Sequence, residues 1–309
     1  MMDENIMMLV NGFLIIFLAP FFSGVLKKSK AFLRGYKGPS VFQVYYDIGK
    51  LLKKSFIKSK SSSAITSFAP SAILAVTVVT TFFIPVVYAY PQIQGFSVFL
   101  VFFSFTAVKF LTALIGLDCA GTFGGMGSSR EMFISMMSEP LFLVLIMFLF
   151  METGTFSVEN MSYINSIAIN DFIGHIIAAA AFIIFLIVEN TRVPVDNPET
   201  HLELTMVHEA MILDIPSCDL AFLELASSIK LAVFSTFFVN IFFPIGIAIS
   251  LDPMSIFAAL VFYLIKMVLF LFSLAAIEIS TAKFRLFKVQ DIIMAGFSLA
   301  VISLVISYL

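Results

Sequence analysis

The chain has 309 residues, 60% of them hydrophobic and only 12% charged, with a mean hydropathy of +1.05 and a formal net charge of −2. A water-soluble domain cannot bury that much apolar surface, so composition excludes one and points to an all-α, polytopic membrane protein forming a single transmembrane domain. The two cysteines, Cys119 and Cys218, form no C-x-x-C pattern, and no metal or iron–sulfur site is expected in this chain.

About twenty apolar residues cross a bilayer as a helix. On that ruler the sequence predicts eight spans, at 5–26, 68–89, 96–117, 130–151, 167–189, 226–249, 255–280 and 290–309. Asp3 and Glu4 precede the first span, which has neither a basic n-region nor a cleavage signal and is expected to be retained. An even number of spans puts both termini on one side. Residues 27–60 hold ten of the eighteen Lys and Arg, and Arg130, Arg192 and the segment from Lys283 to Lys288 add five on the same face. The opposite loops, 90–95, 152–166 and 250–254, hold none. Positively charged loops stay in the cytoplasm, so both termini are expected outside, in the cytoplasmic (inner) membrane.

Within the basic loop at 27–63, Val41, Phe42, Val44, Tyr45, Leu51 and Leu52 interleave with lysines as in a short amphipathic helix on the membrane surface, whose simplest role is a headgroup anchor. The glycine-rich run from Gly121 to Gly127 follows a helix and lacks the lysine of a phosphate loop. A close-packed cytoplasmic turn is the expectation there, not a nucleotide cradle.

Ionisable groups inside spans are costly and usually functional. Lys109 and Lys266 lie near the middle of spans three and seven, Glu139 about nine residues into span four, and Glu278 near the cytoplasmic end of span seven. Glu224 and Lys230 flank the predicted start of span six. Together they are expected to form a polar file, although snorkelling to the interface is the simpler expectation for Glu278 and Lys230. His175, in span five, reads as a satisfied polar group.

Residues 189–224 hold eight of the twenty carboxylates and two of the three histidines. Pro194 ends the preceding helix, and Asn197 with Pro198 is positioned to start another. The segment 189–225 is therefore expected to be a structured acidic cytoplasmic loop. His201 and His208, seven residues apart, would sit about 10 Å apart along a helix, too far to share one zinc.

Three cytoplasmic segments resemble one family. Gly35-Tyr-Lys37-Gly38-Pro39 with Asp47-x-x-Lys50-Leu51, the Arg130 to Glu139 segment, and Glu189-Asn-Thr-Arg192-x-Pro194-x-Asp196-x-Pro198-Glu199 leading to Glu203 are similar to motifs of respiratory complex I subunit 1. That family includes the membrane subunits of energy-converting NiFe-hydrogenases and formate hydrogenlyases. His201, where complex I usually has glutamate, and His208-Glu209-Ala-Met with Asp214-Ile-Pro-Ser look more like the hydrogenase branch. The Asp214 tetrapeptide departs from the Glu-Tyr-Ser-Gly common to both branches. The resemblance implies a peripheral arm with a hydrogenase-like large subunit, carrying NiFe, and an iron–sulfur small subunit, beside antiporter-like membrane subunits. The lipid bilayer is the remaining partner, and nucleic acid is not one.

The resemblance also implies that Glu139, Glu189, Glu199 and Glu203 link a redox cavity to the membrane. His201, His208, Glu209, Asp214, Glu224, Lys109, Lys266 and Glu278 join them as candidates for a proton path. Arg130, Arg192 and Asp196 are the expected charge-pairing residues. The function expected is coupling electron transfer in the arm to proton or sodium translocation, with no redox centre and no catalysis in the chain alone. The alternatives are a quinone-site subunit, a stand-alone ion transporter and a passive anchor.

Overall fold

The structure, a computed structural model, describes residues 2–55, 62–88, 97–119, 121–167, 172–196, 206–248 and 252–308. Eleven helices occupy them: α1 (Met2–Leu33), α2 (Gln43–Leu52), α3 (Ala64–Thr81), α4 (Val98–Asp118), α5 (Thr122–Thr153), α6 (Val158–Ile167), α7 (Phe172–Glu189), α8 (His208–Met211), α9 (Ser217–Phe242), α10 (Pro253–Ser280) and α11 (Leu286–Tyr308). No strand is present among the described residues, and eight helices are long and apolar enough to cross a membrane. The eight predicted spans are all found, but several boundaries move.

At the centre is α9, whose most apolar window is 83% buried, against 33% and 28% for α10 and α11. An apolar surface all round suits a helix surrounded by others, whereas α10 and α11 leave one side for lipid or a partner. Packing against α9 is largely aromatic. Phe182 stacks on Phe237, Phe238 lies 4.5 Å from Phe270 between ring centres, and Phe105 lies 4.8 Å from Phe234. Each such pair adds about 0.5–1.5 kcal/mol beyond the area it buries. Two polar side chains buried on α9 are matched as membrane interiors require, while Ser235 Oγ has no hydrogen-bond partner among the described residues. Thr236 Oγ1 and the Tyr263 hydroxyl share a 2.8 Å hydrogen bond, and Asn240 Nδ2 donates to the Pro85 and Val86 carbonyls.

Two connecting segments close the end of the bundle where α9 terminates. Ala248 N–H donates to the Val87 carbonyl and Val98 N–H to the Phe156 carbonyl, each at 2.9 Å. At the other end α2, the amphipathic segment of the sequence, packs on α1 and α9 with Val44 buried, and the Tyr45 hydroxyl donates to the Phe17 carbonyl.

The glycine-rich run is helix, not a turn. Helix α5 begins at Thr122, and Gly124 and Gly127 are the surface through which it meets α4 and α8. A β-carbon on Gly124 would lie 2.4 Å from the Gly116 carbonyl oxygen, and one on Gly127 would lie 2.8 Å from that of Val207. Both obstacles are backbone and cannot swing aside. Gly124→Ala is expected to cost about 1–3 kcal/mol, as overpacking does, read as a lower thermal midpoint of the purified protein. An unchanged midpoint contradicts the close approach.

Other boundaries follow the same pattern. Helix α1 continues to Leu33, so Lys27, Lys28 and Lys30 of the supposed basic loop are helical, and α9 starts at Ser217, which takes the last part of the acidic loop into a span.

Candidate functional site

A cavity of about 470 Å³ opens among α1, α4, α5, α7, α8 and α9. Five cations (Lys27, Lys30, Lys109, Arg192, Lys230) and five carboxylates (Glu131, Glu189, Asp196, Glu209, Glu224) line it, with His208. Equal numbers matter here, because a low-dielectric site tolerates charges only in matched sets.

Four of these groups form a chain through four helices. Glu189 ends α7 with its carboxylate between two lysines: Oε2 is 2.7 Å from Lys109 Nζ on α4, and Oε1 is 2.9 Å from Lys230 Nζ on α9. Lys109 reaches onward to Glu131 on α5 at 3.8 Å. Glu131 Oε2 is buried without a hydrogen-bond partner among the described residues. The order is carboxylate, ammonium, carboxylate, ammonium, with no net charge. Glu139, half-buried and two turns beyond Glu131 on α5, adds its field at Lys109.

A second set fixes the frame around the cavity. Buried Glu278 on α10 pairs with Lys30 of α1, and with Arg192 Nη1 at 3.5 Å. Asp196, 1% exposed, accepts from Lys283 Nζ at 2.6 Å and from the Val207 N–H at 2.9 Å. That side chain ties the stretch after α7 to the start of α8.

Seven of the twelve sequence-predicted site residues that are described converge here: Lys109, Glu189, Arg192, Asp196, His208, Glu209 and Glu224 all line the cavity. Glu199, His201 and Glu203 lie outside the described residues, as do Asn197 and Pro198. Three candidates are placed elsewhere. Lys266 donates to Asn240 Oδ1 and the Phe243 carbonyl, at the far end of α9, and so does not extend the file. Asp214 is exposed beside Gly121. Arg130 Nη1 donates to the Met206 carbonyl at 3.1 Å, a backbone partner where a carboxylate was expected. Snorkelling fails for both residues to which it was assigned, since Glu278 and Lys230 turn inward to paired positions.

Sequence reading missed Glu131, Lys30, Lys283 and the role of Lys230. In the span predicted at 130–151 Glu131 is the second residue, whereas with α5 starting at Thr122 it sits inside the bundle. Its spacing to Ile134, Ser135 and Ser138, all buried, was the available signal.

His175 is satisfied on one side, Nδ1 lying 2.9 and 3.0 Å from the Glu152 carboxylate oxygens. Near it in sequence, Glu159 on α6 is buried, which lifts its carboxyl from the ordinary 4.5 to about 7. A raised carboxyl costs nothing below pH 4.5, where folded and unfolded chains are both protonated. As pH climbs to about 7 the unfolded chain ionises first and stability falls. Glu159→Gln is therefore expected to flatten that decline in a thermal-unfolding series across the window, and an unaltered slope refutes the assignment.

Comparisons with known proteins show the family and the fold. The chain matches the NADH dehydrogenase family over residues 5–308. It is 27% identical over 307 residues to hydrogenase-4 component C of Escherichia coli (strain K12), and 25% identical over 299 residues to formate hydrogenlyase subunit 4 of the same organism, with 96% of both chains covered in each case. Its fold is similar to a chain of the membrane-bound sulfane sulfur reductase, an archaeal respiratory membrane complex, with a TM-score of 0.83, 18% identity and 98% of each chain covered. With the match running from residue 5 to residue 308, the chain belongs to the NADH dehydrogenase family, as a membrane protein of the complex I subunit 1 type.

Proposed function

We propose that this chain is the coupling subunit of an energy-converting hydrogenase-like complex, passing electron transfer in a peripheral arm into proton or sodium movement across the membrane. The observation that carries this reading is the buried series Glu131, Lys109, Glu189, Lys230 leading off a charged cavity. Such a series responds to a charge placed in the cavity. Protonating Glu189 leaves two ammonium groups facing each other, and Lys109 then gains by moving toward Glu131. A charge change at one end is thereby handed to the other over short, poorly screened distances. The relatives named as hydrogenase-4 and formate hydrogenlyase components support partners bearing iron–sulfur clusters and NiFe, with antiporter-like subunits alongside. The basic-face argument supports both termini outside and the arm on the cytoplasmic side.

The test has two parts. Extracted in mild detergent, the chain should bring iron–sulfur partners with it, and alone in vesicles it should move neither H⁺ nor Na⁺; transport by the isolated chain makes it a stand-alone transporter. In the reconstituted complex, Glu131→Gln should retain electron transfer while ion movement per electron falls at least about tenfold, the scale of a 1.4 kcal/mol barrier change. Equal coupling in the variant sinks the reading.

A quinone-site role has one observation in its favour. An apolar groove of about 320 Å³, lined by Phe13, Ile16, Phe17, Pro20, Tyr45, Ile48 and Leu225, lies between α1, α2 and α9. A photoreactive quinone analogue that labels these residues in the complex would favour it, and absence of labelling would leave coupling alone.

A further inference from the structure

The charged cavity does not account for the other end of α5 and α7. Glu152 lies in the last turn of α5, His175 in the first turn of α7, and Glu159 in the first turn of α6, so the chain reversal after Thr153 gathers all three at one membrane face. Fourteen residues, about 21 Å of helix, separate His175 from Glu189 along α7. Glu131 and Glu152 are farther apart still along α5. This cluster therefore lies at the end of the bundle opposite the charged cavity.

We propose that Glu152 and His175 form a proton-binding site that exchanges with the aqueous phase on the face opposite the charged cavity. The geometry assigns the atoms. With Nδ1 at 2.9 and 3.0 Å from the two Glu152 oxygens, the ring proton sits on Nδ1 and is shared by the carboxylate. The free position is Nε2, which is buried and without a hydrogen-bond partner among the described residues, in a residue 4% exposed. A proton arriving there adds one N–H bond and turns imidazole into imidazolium beside a carboxylate, a pair with no net charge. Its departure restores the neutral ring and leaves one negative charge. No electron moves and no other bond changes.

The surroundings favour such an exchange over a purely structural pair. The ring leans on Phe242, with centres 5.0 Å apart, so one face is apolar and only Nε2 is available for transfer. Among the elements packed on α5 and α7, the titratable groups at this end are Glu159 and Tyr163 on α6 and Tyr308 on α11; α4 and α9 bring none among the described residues. Lys266 of α10 is held beyond Phe242 by Asn240 and the Phe243 carbonyl. Glu159 Oε2 is also buried and unpartnered, and burial raises that carboxyl to about 7, so Glu159 itself can carry a proton near neutral pH. The inference deepens the coupling reading, because it gives the chain an exchange point of its own on the far face.

Infrared pH titration of the assembled complex tests it without relying on ion transport. Wild-type complex should show an imidazole and carboxylate band pair that titrates together, lost in both Glu152→Gln and His175→Gln and retained in Glu189→Gln. Should Glu152→Gln not assemble, Glu152→Asp keeps the carboxylate on a shorter arm and should move the band to a different pH. With the complex in sealed vesicles, the band should follow pH only on the side opposite the cavity. Spectra identical in wild type and Glu152 variants, or a band following the cavity side, overturn the proposal. Loss of coupling in Glu131→Gln is a separate readout, so either reading can fail while the other stands.

Discussion

Replacing Glu189 by glutamine is expected to destabilise the protein by about 3–5 kcal/mol, as removing one partner of a buried ion pair does, and to abolish ion movement coupled to electron flow. The magnitude follows from position: the one carboxylate, 5% exposed, lies within 3 Å of both Lys109 and Lys230. An amide accepts a single hydrogen bond per lone-pair site but carries no charge, so two ammonium groups are left facing each other in the bundle. The companion variant Glu189→Gln with Lys230→Met removes one charge of each sign. It should regain more than half of the lost stability and none of the ion movement. A single-variant loss within about 0.5 kcal/mol, the range of an ordinary surface change, would show that the lysines have other means of compensation.

Glu278→Gln should produce a loss of similar size through a different route. Its carboxylate joins Lys30 at the end of α1 to Arg192 just after α7, from a position on α10, and so ties three separate parts of the bundle together. With the charge gone, Lys30 remains buried with a weaker partner. About 3–5 kcal/mol is again the scale for an uncompensated buried cation. The diagnostic readout is local: amide hydrogen exchange over Arg192 to Asp196 should accelerate, because Arg192 no longer ties that stretch to α10. Pairing Glu278→Gln with Lys30→Met should restore most of the thermal midpoint but not this protection, since Arg192 still lacks its carboxylate. If exchange there is unchanged while the thermal midpoint drops, the carboxylate holds α1 to α10 and has no part in framing the cavity.

Much of the fold was legible because the bilayer imposes a simple rule. A run of about twenty apolar residues has to be helical, since its backbone groups have no other partner, and the eight such runs stand out from the sequence. Helix ends were less legible. Gly121 to Gly127 reads as a turn by composition, yet there the missing side chains serve approach between helices. Glu131 does not stand out in the sequence, and Lys230 reads as a snorkelling residue, for the same reason: their depth depends on where the helix begins.

The sequence by itself determined that this is an eight-span membrane protein whose charges gather at one face, and its motifs identified the family. Only the tertiary structure decided which charges meet. Glu131, Lys109, Glu189 and Lys230 come from four helices and are far apart in the chain, so no local spacing relates them. Periodicity says which face of a helix a charge occupies, but pairing is a property of how helices are rotated and seated against one another. That seating is set by close glycine contacts and by the phenylalanine packing around α9, which are summed over the whole bundle.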